Sequence, residues 1–189
     1  MAITLKHTRP VTDEELLEFS RQNPGLQFER TADGELVVTP TGSESSRASG
    51  EVFGQLREWN RRRGRGVVFD SSGGFRLPNN AVYAPDASWI RQDRWDRLTQ
   101  EQRRTFAPLC PDAVFEIRSE GNTLAELRDK LRIYLTNGVQ IAVLVDPSGR
   151  SVEVYGPGRA PDIHANPVTV ALDPALPGFV LDLAPVFGQ

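Results

Sequence analysis

Two apolar runs, AVFEI at Ala113–Ile117 and QIAVLVDP at 140–147, constrain this chain more than any other feature. The segment between them, roughly residues 123–137, carries Leu127 and Leu131 at helical spacing and closes at Gly138, where glycine suits a helix C-terminus. Strands of that apolarity belong in a sheet covered on both faces. The pattern predicts a mixed α/β fold, with residues 1–189 forming one domain. One residue breaks it. Glu116 lies between Phe115 and Ile117. A carboxylate there is costly to desolvate unless positive charge sits beside it: an arginine, a lysine or a metal ion.

The rest of the chain supplies the layers. TDEELLEF offers Thr12 as a helix cap and Glu15 to complete a capping box, with Leu16, Leu17 and Phe19 turned inward. LQFER and ELVVTP flank Asp33 and Gly34, a strong hairpin signal. Ser43–Arg63 reads as a long helix, with Val52, Phe53, Leu56 and Trp59 on one face and Gly64 and Gly66 as its stop. GVVFD, GFRL and AVYAPDASWI read as short strands, RWDRLTQEQRR as one short surface helix, and SVEVY as the hairpin partner of QIAVLVDP. RAPDIHANP reads as loop, followed by two weaker strands near residues 168–172 and 179–183. The expected architecture is a mixed sheet flanked by helices, with an N-terminal helix and hairpin.

Composition narrows the function. With 39% hydrophobic and 25% charged residues in 189, the chain has a core and is not disordered. A net charge of −3 excludes a protein that coats nucleic acid by charge alone; such binding needs a local basic face, or metal ions that offset carboxylates. A single cysteine, Cys110, and two separated histidines, His7 and His164, argue against a disulfide and a structural zinc site. Neither histidine has a G-x-S-x-G motif nearby, and no phosphate-binding glycine loop is present. The start, MAITLKHTRPVTDEE, lacks the apolar core of a signal peptide, and no apolar run approaches the ~20 residues that cross a bilayer. A cytoplasmic protein with no membrane partner is expected.

Three acids sit where apolar residues are expected: Glu29 in QFER, Asp86 before ASWI, and Glu116 in VFEI. Each alone is explained by a turn or a surface pair. Carboxylates that converge at strand ends, however, repel one another unless a cation joins them, and hard oxygen ligands suit Mg²⁺ or Mn²⁺. Lys130 falls at the border of the buried face of its helix, near Leu127, Leu131, Ile133 and Tyr134. Its ammonium either snorkels to water or turns toward the carboxylates, where it stabilises charge developing on a phosphate. Arg57, Arg61, Arg62, Arg63 and Arg65 cluster at the end of the long helix; they read as a solvated helix end or as phosphate contacts.

PDASWI, CPDAVFEIRS, DKLRIYLTNGV and LVDPSGRSVEVY, in that order, resemble the Uma-two family of restriction endonucleases, within the PD-(D/E)XK nuclease superfamily. The resemblance runs from about TDEELLEF to LPGFVLDLAPVF and includes FERTADGELVVTPTG. It implies a restriction-endonuclease-like fold and a Mg²⁺- or Mn²⁺-dependent endonuclease that hydrolyses phosphodiester bonds in DNA. By the same resemblance, Asp86 and Glu116 are metal ligands, joined by the Ile117 carbonyl. Lys130 takes the part of a lysine displaced onto the following helix, and Glu29 that of an acid that helps hold metal or water. Arg118 occupies the usual lysine position, and an arginine stays protonated and is no general base. That departure keeps open an alternative: a non-catalytic nucleic-acid-binding or interaction module on the same fold. Nucleases that cut both strands often pair, so a homodimer is the expectation from symmetry.

Overall fold

The computed structural model describes residues 3–5, 9–40, 42–63 and 65–188. His7 and Gly64 lie outside them. The elements in chain order are β1 (Ile3–Leu5), α1 (Asp13–Gln22), β2 (Leu26–Arg30), β3 (Leu36–Pro40), α2 (Ser43–Arg63), β4 (Gly66–Asp70), β5 (Phe75–Arg76), β6 (Val82–Tyr83) and β7 (Ala87–Arg91). They continue with α3 (Gln92–Asp96), α4 (Gln100–Arg104), β8 (Ala113–Ile117), α5 (Leu124–Thr136), β9 (Ile141–Asp146), β10 (Ser151–Tyr155), β11 (Asp162–Ala165), β12 (Thr169–Ala171) and β13 (Val180–Asp182).

A six-stranded sheet in the order β11-β10-β9-β8-β7-β4 forms the centre. Its β8 and β9 run parallel, Ala113 opposite Ile141 through Ile117 opposite Val145, and every residue of both strands is buried. The alternation of side chains then divides the core. Phe115 and Ile117 pack with Val52, Leu56 and Trp59 of α2 and with the β12–β13 ribbon. Val114 points the other way, toward Leu127, Leu131 and Tyr134 of α5. Glu116 shares the parity of Val114 and therefore faces α5.

The second sheet, β1-β3-β2-β6-β5, carries the N-terminal hairpin. Its turn needs glycine at 34, where φ is +85° and a Cβ would lie 2.6 Å from Pro10. The α1 helix begins with the expected capping box between Thr12 and Glu15, and Leu16 is its buried anchor. Arg30 ties that helix to the hairpin, reaching Asp13 at 2.7 Å and the Val11 carbonyl at 2.7 Å. The two sheets meet along a short link, Ala84-Pro85-Asp86, which carries the chain from β6, paired to β2, into β7, paired to β8.

Two expectations need correction, and one strand adds to them. RWDRLTQEQRR forms two short helices, because Thr99 starts a new one with its own capping box to Gln102. RAPDIHANP is not loop throughout: β11 pairs antiparallel with β10 and places His164 opposite Val152. A first strand, β1, pairs with β3, although Ile3 and Leu5 are exposed and give no alternation to read. The α5 helix, by contrast, follows its local signals closely, with Thr123 capping and Gly138 at φ +99° closing it.

The cap and the core stripe of α5 contribute separately. Replacing Thr123 by Ala is expected to cost about 1 kcal/mol of unfolding free energy. Leu131→Ala, which empties a fully buried site, is expected to cost about 3 kcal/mol. Urea denaturation followed by circular dichroism measures both.

Candidate active site

Glu29, Asp86, Glu116 and Lys130, scattered over the sequence, converge where the two sheets join. Glu29 comes from β2, Asp86 from the link before β7, Glu116 from β8 and Lys130 from α5. The β7–β8 register sets Ala87 opposite Phe115, so one step further the chain brings Asp86 beside Glu116. There the ladder is completed by a side chain: the Ile117 N–H donates to Asp86 Oδ2 at 2.7 Å. Glu29 ties the same link from the other sheet, its Oε1 accepting from the Ala84 N–H at 2.7 Å.

Lys130 answers the question that Glu116 poses. Its Nζ lies 2.9 Å from Glu116 Oε1 and 2.9 Å from Glu29 Oε1. The lysine belongs to the buried stripe of α5, because 127, 130, 131 and 134 share one helical face. Two tyrosines hold it there. The Tyr134 hydroxyl donates to Glu116 Oε1 at 3.2 Å, and the ammonium sits 5.4 Å from the centre of the Tyr83 ring, within cation–π range. Both tyrosines were missed in the sequence, although Tyr134 lies one turn after Lys130 and that spacing was readable.

The electrostatics follow from burial. Desolvation pushes the Glu116 carboxyl up to about 8, against the pull of the Lys130 ammonium, with Asp86 and Glu29 adding to the rise. It also raises Asp86, while the Ile117 N–H and the Lys130 charge work in the opposite direction. Burial acts to lower Lys130, but Glu116 and Glu29 more than offset this and hold it above its ordinary value. The lysine is therefore a fixed cation and a hydrogen-bond donor, not a base. Burial likewise lifts the Tyr83 hydroxyl to about 12.

A cavity of about 360 Å³ opens onto this group and is lined by Glu29, Asp86, Glu116, Ile117 and Lys130. Glu116 Oε1 is occupied by Lys130 and Tyr134, and Glu116 also lines the cavity. Three carboxylates here face a single ammonium, which leaves room for further positive charge. Among the described residues, no group of three or more His, Cys, Asp or Glu side chains is arranged to hold a metal ion. Two carboxylates and a main-chain carbonyl still fit Mg²⁺, which is usually held by one or two carboxylates and keeps several waters.

Arg118 does not belong to this group. Its guanidinium turns to Asp146 at the end of β9, 2.9 Å away, and to the Asn122 carbonyl. Arg57, Arg61, Arg62, Arg63 and Arg65 are exposed and do not line this cavity. Ser45, near the start of α2, lines the cavity; sixteen helical residues separate it from Arg61, about 24 Å at 1.5 Å per residue.

The Uma2 (Uma-two) family model, described as "Putative restriction endonuclease", matches residues 13–184. The chain belongs to the Uma2 family. This Uma2 chain is also similar to a crystal structure described as "a putative nuclease belonging to DUF820" from Anabaena variabilis. The TM-score is 0.75 and the identity 20%, over 94% of this chain and 98% of that one. At that identity the likeness is one of fold: the mixed α/β architecture is shared with that structure. No curated protein matches the chain. Among the described residues, no helix is long and apolar enough to cross a membrane.

The raised Glu116 carboxyl has a measurable consequence. Its folded value of about 8 lies above the ordinary 4.5, so the folded state binds that proton more tightly than the unfolded chain. The stability it contributes is full below pH 4.5 and is lost as pH rises through 8. Metal-free protein is therefore expected to lose thermal stability from pH 5 to pH 9, and Glu116→Gln to flatten that slope; differential scanning fluorimetry across the range reads both.

Proposed function

We propose that this protein is a divalent-metal-dependent endonuclease of one domain that hydrolyses phosphodiester bonds, in DNA, in the cytoplasm. The observation that carries the reading is the Lys130 ammonium, fixed 2.9 Å from Glu116 and 2.9 Å from Glu29 in a cavity that Asp86 also lines. Membership in the Uma2 family supports it.

Asp86, Glu116 and the Ile117 carbonyl would hold Mg²⁺ or Mn²⁺. When bound, that ion supplies charge to offset the scissile phosphate and makes a nearby water easier to deprotonate. The chain's own residues do the rest. The Ile117 N–H fixes one oxygen of Asp86, whose carboxylate lines the cavity. Lys130 stays protonated and offers its remaining N–H to a phosphate oxygen, so its charge meets the negative charge that grows during displacement. Glu29 orients Lys130 and does not move, since its Oε1 is also bound to the main chain at Ala84. The Tyr83 ring packs against the ammonium, and the Tyr134 hydroxyl holds the Glu116 oxygen that the ammonium meets. The Arg57 to Arg65 cluster lies far enough along α2 to contact phosphates distant from the one cleaved.

Cleavage of labelled DNA in Mn²⁺ tests the reading. Asp86→Asn, Glu116→Gln and Lys130→Met are each expected to lower the rate by roughly 10²-fold or more while the proteins remain folded. Cleavage that all three variants retain at the parent rate would remove this site from the chemistry.

A further inference from the structure

A second, larger cavity lies against the first. It measures about 740 Å³, within the roughly 300–1,000 Å³ of small-molecule sites. The two share Gln27, Ser45 and Asp86, so the carboxylate at the centre of the proposed nuclease site forms part of both walls. A nucleic-acid strand cleaved at Asp86 must therefore send its next nucleotide toward this space or away from it.

The lining decides what fits. Among the described residues, it holds no lysine or arginine, and its charged members are Asp70 and Asp86. That chemistry repels a phosphate backbone. Half-buried rings of Phe28, Phe53 and Phe106 form apolar walls, and the hydroxyls of Ser46, Ser71 and Ser72 supply neutral donors and acceptors. Gln27 spends its amide N–H groups on the Ser71 and Ala84 carbonyls, at 3.2 and 3.1 Å, which leaves its carbonyl oxygen as an acceptor at the junction. Apolar rings with uncharged hydrogen-bonding groups suit the face and edge of a nucleobase. A base stacked within a duplex does not reach such a recess, whereas an unpaired one does.

We propose that this groove receives one unpaired base next to the scissile phosphate, so that the substrate is single-stranded DNA. The assignment rests on the nuclease reading for its position, but on the groove's own lining for its chemistry.

Gly50 provides a probe. It lines the groove on α2, its φ is not in the left-handed region, and a Cβ built there meets nothing within 4 Å. Nothing in the fold requires glycine at that position, and a helix interior favours almost any other residue. Gly50→Leu should fold at least as well as the parent while filling the groove. Phe53→Ala removes an aromatic wall instead.

Binding is measured by fluorescence anisotropy with a labelled single strand of ~10 nucleotides and with the blunt duplex of the same sequence, in Ca²⁺ to suppress cleavage. The single strand is expected to bind at least tenfold more tightly than the duplex. Gly50→Leu and Phe53→Ala are each expected to weaken single-strand binding about tenfold, a loss in the range of one base–aromatic stack. Gly50→Leu is also expected to leave Tm unchanged or raised. Equal or tighter duplex binding overturns the proposal, as does single-strand binding that neither variant weakens. The two readings fail separately. A wild-type protein that cuts neither DNA in Mn²⁺ loses the nuclease assignment, yet the groove is still judged by these affinities. A protein that cuts duplex DNA at the same rate with and without Gly50→Leu keeps the nuclease assignment and loses this one.

Discussion

Lys130 is the cation around which two sheets and a helix are arranged. Its ammonium touches Glu29 of the small sheet and Glu116 of the large one, and its backbone belongs to α5, which covers the large sheet. Remove that charge and three buried or half-buried carboxylates face one another across a narrow cavity. Breaking a buried ion pair by deleting one partner is costly because the remaining charge is left without compensation. The same charges that make the junction expensive to assemble are what the proposed function uses, since an excess of carboxylates favours a further cation.

The cleft has an uneven charge distribution. Beside Lys130, the smaller cavity carries Glu29, Asp86, Glu116, Glu126 and Asp129 in its lining. The larger one carries no cation among its described residues. A polyanion approaching this surface meets net negative charge close to these carboxylates, with the arginine cluster at the far end of α2. On the proposed reading, metal ions and neutral contacts to bases take the part near the carboxylates that basic side chains take elsewhere. The negative overall charge agrees with that division.

Much of the fold was legible because its signals are local. Thr12 with Glu15, and Thr123, mark helix starts; Asp33 and Gly34 mark a hairpin; the apolar strands around Glu116 mark a sheet covered on both sides. The split between α3 and α4 is also written in a capping box, Thr99 with Gln102, although the charged stretch around it has the continuity of one helix. Strands β1 and β11 gave little to read, since exposed edge strands need no apolar alternation; their pairing comes from the neighbour. At the site, the acids stood out as charges in apolar surroundings. Tyr83 and Tyr134 did not, because a tyrosine in a core is ordinary until its hydroxyl or ring is seen against a charge. Arg118 occupied a suggestive position in the sequence, and only the position of Asp146 at the end of β9 shows where it turns.

From the sequence alone came the α/β class, most element boundaries, and the short set of residues whose chemistry was out of place in a core. These depend on periodicity and on neighbours a few positions away. Tertiary structure decided which charge meets which. Whether Lys130 points to water or to Glu116 turns on how α5 is set against the large sheet and on the link that joins that sheet to the hairpin bearing Glu29. Those are contacts between segments far apart in the chain, held by burial and by a few hydrogen bonds, and no local pattern encodes them.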